Sequence, residues 1–153
     1  NRFIEQKTKD YPVIIISQRW FLHTAKPEFL ERFNTMLEDL VKAGKKVYVL
    51  ADTPMDGQLP LRRYYLRQKL GIDIHYVSED KKAEIRDSAK SEDEVEKIVK
   101  QHRGVQWVDF MQYIPADKLI DGLPVYFDTN HLNPFGSSKI AEMFINDKRT
   151  LLK

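Results

Sequence analysis

The stretch YPVIIIS, Tyr11 to Ser17, carries four consecutive β-branched residues, Val13 to Ile16, with no polar interruption. A strand with one face in water alternates apolar and polar side chains, whereas an unbroken run of this length suits a strand covered on both faces. The expectation is a central strand of a parallel sheet. Working outward, Phe29, Leu30, Phe33, Met36, Leu37, Leu40 and Val41 recur at three- and four-residue spacing between Pro27 and Ala43, and Gly44 follows. That periodicity predicts an amphipathic helix with a glycine stop. Beyond it KVYVLA, Lys46 to Ala51, reads as a second buried strand, ended by the Pro- and Gly-punctuated loop DTPMDGQLP. Strand, helix and strand in this order imply a crossover connection between parallel neighbours.

Farther along, Leu61 to Leu70 predicts a short helix with its arginines toward solvent, and Ile72 to Val77 is either an extended piece or a loop. In the charged stretch from Ser78 to His102, Ser91 and Glu94 make a capping box and Val95, Ile98 and Val99 a narrow apolar stripe, so a surface helix is expected to end near Gly104. The tract from Asp80 to Asp93 reads as a solvated helix face and loop rather than a binding tail. VQWVDF, Val105 to Phe110, predicts a third strand, Pro115 to Ile120 a short helical turn, Val125 to Phe127 a brief extended piece, and a last helix runs from Pro134 to about Asn146. The whole is read as one α/β domain with a parallel sheet, since 153 residues at 42% hydrophobic suit a single core.

Composition excludes several functions. A net charge of +2 from 25 basic and 23 acidic residues, without a dominant block of either sign, leaves no electrostatic footprint for nucleic acid. Without cysteine there is no disulfide framework, thiolate nucleophile or thiolate metal site. The longest aliphatic run, Val13 to Ile16, falls far short of the ~20 residues that span a bilayer, and NRFIEQKTKD lacks the apolar region of a signal peptide. Starting without a methionine, the sequence reads as a processed product or a piece of something larger. His23, His75 and His102 have no carboxylate or histidine at metal-ligand spacing, so neither metal nor cofactor is expected.

In open parallel sheets, functional groups gather beyond the carboxyl ends of the strands. Three positions qualify: Ser17-Gln18-Arg19-Trp20, Asp52-Thr53-Pro54, and Asp128-Thr129-Asn130-His131-Leu132 before the last helix. In the third, an Asp and a His three residues apart can share one turn, the carboxylate orienting the imidazole as a serine nucleophile requires of its partners. A turn cap beside a loop histidine explains the same spacing, and on spacing alone it comes first. Ser17, Arg19, Trp20 and Asn130 are candidates to line a site, although Trp20 as a rim residue on the next helix with a solvated Arg19 is an equal reading. Asp52 reads as a turn cap, and Tyr64 and Tyr65 beside Arg62, Arg63 and Arg67 as a half-exposed helix before a sugar-stacking face.

YFDTNHLNPFG, Tyr126 to Gly136, resembles the last block of the SGNH, or GDSL-type, esterase superfamily: an aromatic before the Asp, Asx-His-Leu after it, and Gly four residues beyond the Leu. More narrowly, it is similar to the SGNH domains attached to membrane acyltransferase-3 proteins, which O-acylate cell-envelope sugars. The order VIIISQRW, AGKKVYVLADTP, a charged middle and VQWVDFMQYIP extends the likeness over nearly the whole chain. The resemblance implies a flavodoxin-like three-layer α/β sandwich and makes Asp128 and His131 the acid and base of a Ser-His-Asp mechanism. It implies acyl transfer to, or ester hydrolysis on, cell-envelope carbohydrate, with an acyl donor, a carbohydrate acceptor and a membrane acyltransferase domain as partners, outside the cytoplasm. The family's serine lies in a GDS block on its first strand, and no GDS occurs here. Where many members carry GxND this chain has SQRW, so Ser17 brings no oxyanion Asn with it. The expectation is therefore the C-terminal part of a single SGNH-like domain over residues 1–153, lacking its first strand and inactive alone. The rival is a non-catalytic glycan-binding or docking module derived from such a domain.

Overall fold

The structure, a computed structural model, describes residues 6–55, 60–72 and 78–147. In chain order its elements are β1 (Val13–Ile16), α1 (Phe21–Thr24), α2 (Pro27–Lys42), β2 (Lys46–Leu50), α3 (Pro60–Leu70), α4 (Glu79–Gln101), β3 (Val105–Val108), a 3₁₀ turn (Met111–Tyr113), β4 (Leu119–Ile120), β5 (Leu123–Pro124) and α5 (Pro134–Asn146). They fall into two compact units, Asn1–Asp52 with Asp87–Asp109 and Thr53–Arg86 with Phe110–Lys153.

The first unit holds a parallel sheet in the order β1-β2-β3, with Ile14 opposite Val47 and Val49 opposite Trp107. The α/β class and the parallel pairing are those expected, but among the described residues β2 and not β1 is the middle strand. Ile14 and Ile16 pack toward the core, while Val13 and Ile15 on the other face are 41% and 59% exposed. The run VIII thus has one covered face rather than two. β-branched residues suit an edge strand as well as a central one, so the run alone did not identify the middle of the sheet. Fully enclosed Val47 and Val49 meet Phe33, Leu37 and Leu40 of α2 and Val95 and Val99 of α4. Helix α2 ends as its sequence requires: Gly44, at φ 71°, donates to Val41 O at 2.9 Å and Lys45 N to Leu40 O at 3.0 Å, the Schellman pair of bonds.

The charged middle is a single helix rather than a loop and a later helix. Ser78 Oγ accepts from Lys81 N at 3.3 Å and caps it thirteen residues before the expected start. Ser91, read from sequence as the cap, lies inside α4 and is buried. Its hydroxyl accepts from Thr24 Oγ1 and donates to the Asp87 carbonyl, both at 2.7 Å. A serine can bond the carbonyl four residues back in a continuing helix, so a capping-box pattern does not by itself start one. Lys81–Glu84 and Lys82–Glu79 ion pairs at helical spacing favour the earlier turns, each by a few tenths of a kcal/mol.

In the second unit, Ile114, Ile120, Val125, Tyr126 and Ile140 form a separate core. Instead of the expected helical turn over Pro115 to Ile120, β4 and β5 make an antiparallel hairpin through Asp121 and Gly122, at φ 52° and 74°. That Asp-Gly pair is the signature of the tight hairpin turn and was there to be read. α3 spans the helix expected over Leu61 to Leu70, and α5 ends at Asn146 as anticipated. Most of the segment Ile72 to Val77 lies outside the described residues.

Candidate functional site

The second core supports the turn that carries Asp128 and His131. Tyr126 and Leu132 form an antiparallel bridge, and Phe127 N donates to His131 O at 2.8 Å, pinching residues 127–131 into a tight loop. At its exit Asn133 is the N-cap of α5: its Oδ1 accepts from Gly136 N at 2.7 Å, as the Asn-Pro helix entry favours. The same side chain donates from Nδ2 to Pro124 O at 2.7 Å, tying the cap to the strand entering the loop. Gly136 sits so close to the residue after β5 that a Cβ would lie 2.2 Å from Val125 O, which explains why only glycine fits there.

Within the loop the two oxygens of Asp128 do different work. Oδ1 accepts from Asn130 N at 2.9 Å and from His131 N at 2.8 Å, closing the turn, while Oδ2 meets His131 Nδ1 at 2.8 Å. The turn-cap and the acid–base readings are therefore compatible: one carboxylate does both. The N–H of Asn130, the His131 imidazole and the N–H of His131 hold the Asp128 carboxyl down at about 2. An ionised carboxylate only accepts, so in the neutral imidazole Nδ1 carries the proton and the lone pair lies on Nε2. Nε2 stands 3.4 Å from Asn130 Nδ2, and the His131 side chain is 68% exposed. An oriented, accessible imidazole with a basic Nε2 can take a proton from a hydroxyl group.

The loop is also held from behind. Thr53 Oγ1 donates to Asn130 O and Tyr126 Oη to Pro54 O, both at 2.7 Å. Tyr126 is fully buried. Neither bond was foreseen, because they join residues more than seventy positions apart.

The structure brings together Asp128, Asn130 and His131 of the expected site. Ser17, Arg19 and Trp20 belong to the first unit. Ser17 is exposed after β1 and Arg19 half-buried. Trp20 is 0% exposed; its Nε1 donates to Leu50 O at 3.0 Å and its ring meets Phe33 edge-on at 5.3 Å. The indole is a core residue and does not line an accessible site. His23 stacks on Phe29 at 5.2 Å, His102 pairs with Asn34 at 2.8 Å, and His75 lies outside the described residues.

The first unit contains one unanticipated ionisable group. Glu92 Oε1 accepts from Asp52 N at 2.9 Å, so the residue expected to cap the turn after β2 is itself bonded through its backbone. Burial chiefly, with Asp52, Asp109 and Asp93 adding repulsion, pushes the Glu92 carboxyl up to about 7 against the opposing Asp52 N–H. Nothing in the spacing of the charged helix distinguishes Glu92 from its many acidic neighbours.

Comparison with known proteins gives one positive result: the family model described as the SGNH domain (fused to AT3 domains) matches residues 1–146. No curated protein and no solved structure matches the chain.

Proposed function

Given that the chain belongs to the family of SGNH domains fused to AT3 domains, we propose that Asp128 and His131 are the acid and base of a Ser-His-Asp centre acting on cell-envelope carbohydrate. Family membership supports acyltransferase- or esterase-type function in general and a membrane acyltransferase domain as partner. The three-stranded parallel sheet is consistent with the family's flavodoxin-like α/β fold. The observation that carries the finer reading is the 2.8 Å contact between Asp128 Oδ2 and His131 Nδ1, with Oδ1 anchored by two backbone N–H groups. A glycan-binding or docking module has no need of an imidazole locked in one tautomer.

In the proposed cycle a serine from a segment preceding residue 1 attacks the acyl carbonyl, and His131 Nε2 takes the hydroxyl proton. Asp128 stabilises the imidazolium. The tetrahedral intermediate collapses to an acyl-serine ester as the leaving group receives that proton. A sugar hydroxyl, or water in hydrolysis, then loses its proton to His131 while attacking the ester, and the serine recovers a proton as it departs. The acyl group is read as acetyl, with the AT3 domain as the membrane partner and the reaction on the extracytoplasmic side. No helix among the described residues is long and apolar enough to cross a membrane.

The test is O-acylation of envelope glycan by the full-length protein in cells. His131→Ala at unchanged protein level is expected to abolish it. Undiminished acylation by that variant excludes the reading and favours the docking module.

A further inference from the structure

The acid–base pair sits in an exposed loop, where a turn is free to open unless something holds it. Its own bonds, from Asp128 Oδ1 to Asn130 N and His131 N, are local and partly open to water. Among the described residues, the segment after β2 reaches it from afar. Thr53 Oγ1 donates to Asn130 O, two residues after Asp128, and Tyr126 Oη, two residues before it, donates to Pro54 O, each at 2.7 Å. Two adjacent residues are therefore stitched to the loop on either side of the carboxylate. The Tyr126 end is anchored by packing, its ring being enclosed in the second core.

We propose that Thr53 is a positioning residue for the acid–base pair: its hydroxyl, on a segment anchored by buried Tyr126, fixes the Asn130 carbonyl and so the register of Asp128 with His131. This deepens the proposed function and rests on it. Asn130 is the lever because it lies between the two groups. Its N–H holds Asp128 Oδ1, its carbonyl is held by Thr53, and its side-chain Nδ2 stands 3.4 Å from His131 Nε2. Releasing the carbonyl lets the Asn130–His131 peptide plane turn, loosening the His131 N–H in that plane from Asp128 Oδ1 and moving the Asn130 side-chain amide beside His131 Nε2. A further hydrogen bond of the turn, from Thr129 Oγ1 to Asn130 Oδ1 at 3.3 Å, is made by the Asn130 side chain and does not hold its carbonyl.

Thr53→Val keeps the β-branched shape and removes the donor, and Thr53→Ser keeps the donor. Nitrogen-15 NMR of the imidazole reports the tautomer of His131 and amide exchange reports the Phe127 N–H, both without turnover. The expected result is an Nδ1–H imidazole in wild type and Thr53→Ser, and in Thr53→Val a mixture of both tautomers with Phe127 exchange about five- to tenfold faster. Should Thr53→Val not fold, Tyr126→Phe removes the other stitch and is expected to shift the same signals in the same direction. A folded Thr53→Val that only melts earlier, with the imidazole still Nδ1–H and Phe127 exchange within twofold, overturns the proposal; so does an unchanged Tyr126→Phe. The functional reading fails separately, on full acylation by His131→Ala, and such a failure leaves the spectra of Thr53→Val as they are.

Discussion

Asp128 combines two tasks that can be separated by one atom. In Asp128→Asn the amide oxygen still accepts from the backbone N–H groups of Asn130 and His131, but the amide nitrogen, a donor, replaces Oδ2 opposite His131 Nδ1. The imidazole is then driven to the opposite tautomer, with its proton on Nε2. The variant should melt close to the wild type and lose acyl transfer by ~10²–10⁴-fold in the full-length protein, the usual worth of general-base catalysis. Near-normal transfer would detach the carboxylate from the chemistry. Because the Asp128 carboxyl is held at about 2, its turn contacts are present above its ordinary 3.8 and lost only as pH falls through 2, so a bell in the pH–rate profile near neutrality does not come from it. Glu92 has the opposite sign. With its carboxyl at about 7 folded against an ordinary 4.5, the folded state binds the extra proton, and stability falls as pH rises through that interval. Glu92→Gln should gain on the wild type as pH rises from about 4.5 to 7, by on the order of 1 kcal/mol after allowing for the screening of a partly exposed group. A difference that is independent of pH in parallel thermal melts would contradict this. The contact of Asp128 with His131 was legible because three-residue spacing places it within one turn, whereas their proposed roles rest on the resemblance of YFDTNHLNPFG. Thr53 and Glu92 were not, since their partners are brought to them only by the fold.

The element that positions the site is the entry to α5, where Asn133 and Gly136 join helix, strand and loop. Asn133→Ala removes the cap bond to Gly136 N and the tether to Pro124 O together, so a loss of about 2 kcal/mol is expected, the upper part of the range for a cap. Gly136→Ala places a methyl group 2.2 Å from a backbone carbonyl and should cost more, since neither the helix nor the strand is a flexible side chain that can move aside. Urea denaturation of both variants tests the order. A Gly136→Ala protein as stable as wild type would mean that the helix does not press on Val125. Elements whose signals are local were readable: α2 from its apolar spacing and Gly44, and α5 from Pro134. Signals with more than one physical outcome misled. Ser91 and Glu94 fit a cap but sit within α4, and four β-branched residues mark β1 as a strand without saying that Val13 and Ile15 face outward. The Asp121-Gly122 turn is the reverse case, a specific hairpin signal between strands only two residues long.

For the molecule as a whole, alternation of strand and helix sufficed for the α/β class, because parallel neighbours need crossover connections whatever their side chains. The order of the strands did not follow from that argument. The chemistry is proposed to be divided, the chain supplying the base and its orienting acid while the nucleophile comes from the preceding segment. General-base activation of water alone is worth ~10²–10⁴-fold, well below what covalent catalysis and an oxyanion hole add. The most direct test is the rate on a chromogenic acetyl ester for residues 1–153 alone and with the preceding segment restored, with His131→Ala made in each. The account predicts little turnover by the short chain, robust turnover by the extended one, and its loss on His131→Ala. Robust turnover by the short chain that vanishes on His131→Ala would place a nucleophile within these residues, and robust turnover by the extended chain that survives His131→Ala would remove His131 from the reaction.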